Sequence, residues 1–270
     1  MKKFAFVILL ILASICFGVA DANLVAHYKL EDNTDSNTVL DSSGNAYHGT
    51  SLRNTSLMHV VGQIGGALEF DGTADYVDTG QPFESTFQDS FTISFWAELL
   101  DGKPSFGEGL PLTQYFFGVD AGIASPNDSW CMLKYSAQSI SFLYGVGTGE
   151  SIYLYPTNTF NNGPVDWTMF TVTITKISDS YITGAMYING VLQTHTGDVV
   201  DANCNISNYG TEVAYNLFFG VNNGNAGTPS SGTYFAGSLD DVMIYNKALT
   251  ASEIEQIYAQ AFTKRWLGEW

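Results

Sequence analysis

Asp240 is the first residue whose position calls for chemistry. In Leu239-Asp240-Asp241-Val242-Met243-Ile244, strand alternation puts it on the face shared by Val242 and Ile244, the expected core face. An ionised carboxylate buried there without compensation costs several kcal/mol, so it must meet hydrogen-bond donors or a cation. A second acidic stretch, Phe70-Asp71-Gly72-Thr73-Ala74-Asp75-Tyr76, has a plainer reading. Asp71 bonds its own backbone in an Asx-type turn, Gly72 supplies a positive φ, and Tyr76 packs.

Sugar-binding surfaces lay aromatic rings against the C–H faces of pyranoses and leave Asn and Asp to take the hydroxyls. Trp130, beside Asn127 and Asp128, has that composition, as do Tyr153 and Tyr155 ahead of Pro156 and Asn158. The loop from Asn222 to Asn225 is a candidate rim. Core packing for each aromatic and a plain turn for the loop are the competing readings. Nucleophilic catalysis finds no support, since there is no G-x-S-x-G elbow and His27, His48, His59 and His195 are not grouped with a nucleophile. Cys131 and Cys204 form one disulfide or stay two separate thiols, because the 72 residues between them carry no spacing signature. No C-x-x-C pair points to zinc.

The elements that must position these residues read as β. Phe91, Ile93 and Phe95 share one face of Phe91 to Trp96, and Phe170, Val172 and Ile174 alternate with threonines. Turn clusters such as Asp41 to Asn45 and Asn222 to Gly232 separate about a dozen strands, a spacing suited to a sandwich. Asn189-Gly190 suits a type I′ hairpin. Thr250-Ala251-Ser252-Glu253 has the form of a capping box, and Ile254, Ile257, Tyr258 and Ala261 follow at helical spacing. One short amphipathic helix is expected there.

At the N-terminus, Lys2 and Lys3 precede an apolar run from Phe4 to Ala13, with small residues up to Ala22, the pattern of a secretion signal cleaved after residue 22. The expected organisation is a signal at 1–22, one domain at 23–262 and a tail at 263–270. That tail carries Trp266, Leu267 and Trp270 behind Lys264 and Arg265, an apolar group suited to self-association. A net charge of −17 argues against nucleic-acid binding through phosphates and against docking on anionic lipid. A secreted or cell-surface protein with no membrane insertion after signal cleavage is expected.

Several stretches together resemble the laminin G-like (LamG-like) modules of the concanavalin A-like lectin/glucanase superfamily: Leu40 to Gly49 (LDSSGNAYHG), Ala67 to Val77 (ALEFDGTADYV), Phe91 to Trp96, Trp167 to Ile174, Tyr187 to Leu192 (YINGVL) and Gly237 to Leu249 (GSLDDVMIYNKAL). The resemblance implies an all-β jelly-roll sandwich of two antiparallel sheets with the first and last strands adjacent. It also implies a structural Ca²⁺ between the Asp-Ser-Ser-Gly-Asn loop and the closing strand, with Asp41, Asn45 and Asp240 at the matching positions. Without a metal, Asp240 would cap loop amides instead, and Glu31-Asp32 offers competing carboxylates.

Glycosidases of the superfamily carry E-x-D-x-x-E on one strand. The nearest match here, Glu69-Phe70-Asp71-Gly72-Thr73-Ala74, ends in alanine. The expectation is therefore a non-enzymatic module that binds a glycan or an extracellular protein. A structural or adhesive surface protein is the alternative, and a laminarinase-type hydrolase the third reading.

Overall fold

The computed structural model describes residues 21–99, 113–119, 129–135, 139–146, 150–156, 165–179, 181–194, 200–201, 206, 215–224 and 228–267. The expected signal peptide falls outside them except for Asp21 and Ala22. Nineteen strands are present among the described residues, more than the dozen expected, because several are two-residue pairings that carry no alternation.

One sheet has nine strands. Its path runs β14 (Val191–Leu192), β13 (Tyr181–Ile188), β12 (Val165–Ser178), β7 (Phe91–Leu99), β19 (Ala236–Tyr245), β5 (Gly66–Asp71) and β4 (His59–Val61). In addition, β1 (Leu24–Tyr28) pairs with β19 and β15 (Val200–Asp201) with β13. The other sheet has eight strands: β11 (Glu150–Leu154), β10 (Ser139–Val146), β9 (Ser129–Tyr135), β8 (Thr113–Val119), β16 (Phe218–Phe219), β6 (Val77–Asp78), β3 (Gly49–Ser51) and β2 (Thr38–Val39). A small hairpin of β17 (Asn223–Gly224) and β18 (Thr228–Pro229) stands apart. The first and last strands are neighbours, with His27 opposite Met243.

The expected alternation builds the main core. Phe91, Ile93, Phe95, Phe170, Val172 and Ile174 all lie in it, against Phe116, Phe117, Phe142 and Tyr144 of the second sheet. Phe95 meets Phe117 edge to face at 4.5 Å, a favoured aromatic geometry. Asn189 (φ 51°) and Gly190 (φ 78°) form the expected left-handed turn.

A second apolar layer covers the outer face of the nine-stranded sheet, where Trp96, Met169, Met243 and Tyr245 pack with Leu249 and Ile254. It is closed by α2 (Ala251–Leu267), the longer of the two α-helices among the described residues, the other being α1 (Glu84–Phe87). The capping box forms as expected: Thr250 N donates to Glu253 Oε2 (2.8 Å) and Glu253 N to Thr250 Oγ1 (3.3 Å). Tyr258 stacks on Trp96 at 5.6 Å. The helix is longer than expected, and the boundary drawn at Phe262 falls inside it. Apolar spacing ends at Ala261, but no proline or glycine follows until Gly268, so the helix continues through Leu267. No described helix is long and apolar enough to cross a membrane.

Alternation fails at Asp240. The pairing of β19 with β7 shifts register between Asp240 and Met243, and Asp241 adopts φ 51°. Such a bulge inserts one residue and reverses the faces beyond it. Leu239, Val242 and Ile244 therefore all join the main core, while Asp240 pairs opposite Trp96 on the outer face. The expected core-facing Asp240 is thus corrected, although the residue is fully buried, under the turn between β4 and β5.

Candidate functional site

Asp41 follows β2 and bridges to Tyr28 on the side of β1 away from β19. Its Oδ1 accepts the amides of His27 (2.9 Å) and Ser43 (2.9 Å). Its Oδ2 accepts the Ser43 hydroxyl (2.8 Å) and the Tyr47 amide (3.1 Å). Burial alone would raise the carboxyl, but donation from His27, Ser43 and Tyr47 outweighs it and holds Asp41 below the ordinary range. Asn45 is exposed, and its side-chain amide donates to the Val25 carbonyl (2.9 Å). The loop thus stitches itself to β1 with its own side chains.

Asp240 is in the opposite condition. Its Oδ2 accepts the Ile64 amide (2.8 Å), with help from Gln63, whereas Oδ1 is buried without a protein partner. Desolvation pushes its carboxyl well above the ordinary range, and the charges of Asp241 and Glu31 add to the push. The turn beneath it contains Gly62, Gly65 and Gly66. A side-chain carbon at Gly62 would sit 2.7 Å from Asp240 Oδ2, and one at Gly65 would collide with Glu31 Oε1. Two carboxylates therefore reach this glycine turn, Asp240 from β19 and Glu31 from the segment that follows β1. Trp96 Nε1, on the residue paired with Asp240, also lacks a protein partner.

The expected calcium ligands are not brought together. β1 lies between Asp41 and the closing strand, and every donor on Asp41 differs from those on Asp240. Asp41 does not fit a cation, because both oxygens already accept two protein donors each. Asp240 fits one, since an orphaned buried carboxylate oxygen within electrostatic reach of the Asp241 and Glu31 carboxylates suits the hard-oxygen chemistry Ca²⁺ uses. Among the described residues no three His, Cys, Asp or Glu side chains gather as a metal cluster, so carbonyls and water would complete any such shell. Sequence reasoning missed the glycine turn, whose signal is three glycines within Gly62-Gln63-Ile64-Gly65-Gly66.

The outer face of the eight-stranded sheet holds the aromatic candidate Tyr153, with Tyr155 beside it. Tyr153 pairs with Leu143, which pairs with Cys131. Both partners belong to a small cluster with Tyr115, outside the main core. Tyr153 and Tyr155 are half-buried, and their rings lie parallel within 2° at 6.0 Å. Trp130 stands in β9 at a register position opposite Val119 and Tyr144. Asn222 is buried rather than on a rim, and its backbone bonds Thr233 and Ser230. Its Oδ1 lies 2.6 Å from where a side-chain carbon on Gly118 would be, so the glycine lets it approach. Asn127, Asn225 and Cys204 lie outside the described residues, which leaves the pairing of buried Cys131 untested.

A further aromatic platform escaped the sequence reading. Tyr76 stacks on Phe218 at 5.4 Å with planes 4° apart, and Tyr234 lies nearby. The Tyr234 hydroxyl is shifted upward by desolvation, then by Tyr76 and Asp71. Phe218 pairs with Asp78 and Gly118, so this platform shares the outer face. Asp71 behaves as expected: it accepts the amides of Thr73, Ala74 and Asp75 and the Thr73 hydroxyl, and Gly72 has φ 76°. Against the push of desolvation, these donors hold its pKa at about 2. Glu69 lies on the other sheet, opposite Ser238.

Residues 71–255 match the sequence profile of the concanavalin A-like lectin/glucanases superfamily. No curated protein matches the sequence. Among solved structures, domain 4 of AbnA, a GH43 extracellular arabinanase from Geobacillus stearothermophilus, aligns with TM-score 0.54 and 20% identity over 87% of this chain and 98% of that one. Botulinum neurotoxin type C aligns with TM-score 0.59 and 16% identity over 90% of this chain and 52% of that one, so this chain spans about half its length. A Trypanosoma rangeli sialidase mutant aligns with TM-score 0.55 and 15% identity over 91% of this chain and 34% of that one. At these identities the likeness is one of fold.

Proposed function

The chain belongs to the concanavalin A-like lectin/glucanase superfamily, and from that premise we propose that it is an exported, non-catalytic module that binds glycans on the outer face of its eight-stranded sheet. The observation that carries this reading is the parallel pair of Tyr153, on the edge strand β11, and Tyr155, just beyond its end, a half-buried surface suited to the C–H face of a sugar ring. The arabinanase domain of the same fold is in complex with arabinotriose, and cell entry of botulinum neurotoxin type C depends on interaction with two ganglioside molecules, which supports a glycan as the ligand. Against hydrolysis stands the state of Asp71: four donors occupy the second acid of the Glu69-Phe70-Asp71 stretch, and the third acid of the pattern is Ala74.

A structural Ca²⁺ belongs to the same reading. Asp240 through Oδ1, the Glu31 carboxylate and carbonyls of the Gly62–Gly66 turn would hold it. Bound there, it would neutralise the buried charge and fasten the β4–β5 turn to the closing strand.

The test is a glycan array read with the wild type, Tyr153→Ala, Tyr155→Ala and the double variant. We expect selective binding by the wild type and a loss of about tenfold for each substitution, with melting temperatures preserved. Binding unchanged in the double variant, or no glycan bound by the wild type, would remove the basis of the proposal.

A further inference from the structure

The glycan reading leaves the class of sugar open, and the charges around the aromatic face narrow it. Beyond residue 20 the chain carries only Lys29, Arg53, Lys103, Lys134, Lys176, Lys247, Lys264 and Arg265 as basic residues, in a protein of net charge −17. The side chains of four of these are described, and each is held by a carboxylate. Lys29 Nζ lies 3.9 Å from Glu31, Lys176 Nζ 2.9 Å from Asp179 and Lys247 Nζ 2.6 Å from Glu253. Arg53 makes a two-pronged contact with buried Asp75, through Nε and Nη2. Recognition of a carboxylate or sulfate relies on arginine or lysine forks and point charges, and these four are already committed.

The aromatic face itself is edged with acid. Asp78 pairs directly with Phe218, the ring on which Tyr76 stacks. Desolvation, then Tyr76 and then Asp71 raise the Tyr234 hydroxyl, so Asp71 lies within electrostatic reach of that ring. Asp78 Oδ1 accepts the Gly80 amide (2.8 Å), so its charge is fixed in place rather than swinging free. An anionic sugar approaching Tyr76 would therefore meet the like charge of Asp78, while Arg53, which also lies within reach of Asp71, is already committed to Asp75; a neutral sugar would meet ring faces and acceptors for its hydroxyls.

We infer that this face selects neutral, hydroxyl-rich glycans and turns away sialylated, sulfated and uronate-bearing ones. The inference rests on the glycan-binding reading above. It predicts that matched pairs distinguished chiefly by charge separate: desulfated carrageenan oligosaccharides against their sulfated parents, and desialylated against sialylated complex glycans. Calorimetry at ionic strengths of about 0.01 M and about 1 M reads the effect, since the Debye length falls from about 30 Å to about 3 Å between them.

The expected result is at least about tenfold tighter binding of the neutral member at low salt, with the gap narrowing at high salt. Asp78→Asn, which keeps an acceptor for Gly80, should narrow the same gap at low salt. Equal or tighter binding of the charged members at low salt overturns the inference while leaving glycan binding intact, as does an Asp78→Asn protein with an unchanged gap. Failure of every member of both series to bind overturns the glycan reading itself.

Discussion

Asp41 and Asp240 are both buried aspartates near the junction of the first and last strands, yet their carboxylates live in opposite conditions. Asp41 accepts four hydrogen bonds and is held below the ordinary range, whereas Asp240 has one oxygen bound to Ile64, one oxygen without a partner, and a carboxyl pushed far up. The difference comes from where each sits. A loop can turn its own amides inward, and Ser43 and Tyr47 do so two and six residues beyond Asp41. A central strand spends its amides on the ladder, so Asp240 finds donors only in the neighbouring turn. A carboxylate in a loop can be satisfied locally; one on a paired strand calls for a proton or a cation.

The sharpest way to break this comparison is Asp41→Ala. Three amides and a hydroxyl would lose their acceptor, and each buried unsatisfied group costs about 1–3 kcal/mol. Urea unfolding should show a loss of about 3 kcal/mol or more, equal in calcium and in chelator. Because its folded pKa is lowered, Asp41 contributes stability that is present above about pH 4 and disappears as pH falls through its folded value. A variant as stable as wild type would show that the loop does not depend on its carboxylate.

Calcium removal should have the next largest effect, now through Asp240. A ligand bound only by the folded state adds about 2.7 kcal/mol at a hundredfold excess over its Kd, which is several degrees of melting temperature. In chelator the sign for Asp240 is opposite to that for Asp41. Its raised pKa means full stability below about pH 4, lost as pH rises through the folded value. Asp240→Asn removes that loss, so at neutral pH in chelator it should melt at or above wild type and show no calcium response. A full calcium shift retained by Asp240→Asn would place the ion elsewhere.

The same contrast explains what was legible in the sequence. Features set by neighbours in the chain came through: the alternation of Phe91, Ile93 and Phe95, the Asn189–Gly190 turn, the Thr250–Glu253 cap and the Asp71 turn. Features set by distant pairing did not. The bulge at Asp240–Asp241 falls where β19 passes from pairing with β5 to pairing with β1, and the extra residue puts Asp240 on the face opposite Val242 and Ile244. Composition near Asn127 and Asp128 says nothing of register, which sets Trp130 opposite Val119 and Tyr144. Glu31 and the Gly62 turn meet Asp240 from far along the chain, and Tyr76 finds Phe218 only through the pairing of β6 with β16.

Asp71 supplies a test of the comparison at its weak end, because it repeats the Asp41 arrangement in a more exposed turn. It too accepts three amides and one hydroxyl, but after loss of the carboxylate water can reach some of the donors. Asp71→Ala should therefore cost about 1 kcal/mol, well below Asp41→Ala despite the same number of hydrogen bonds. Its carboxyl should titrate at about 2 in a carbon-detected NMR series, so the stability it lends is present above about pH 4 and lost only as pH falls toward that value. If the two alanine variants lose equal stability, burial of the donors is not what separates the two loops. If Asp71 titrates in the ordinary carboxylate range, its turn is not held by the carboxylate, and the claim that a loop can satisfy an aspartate from its own amides would rest on Asp41 alone.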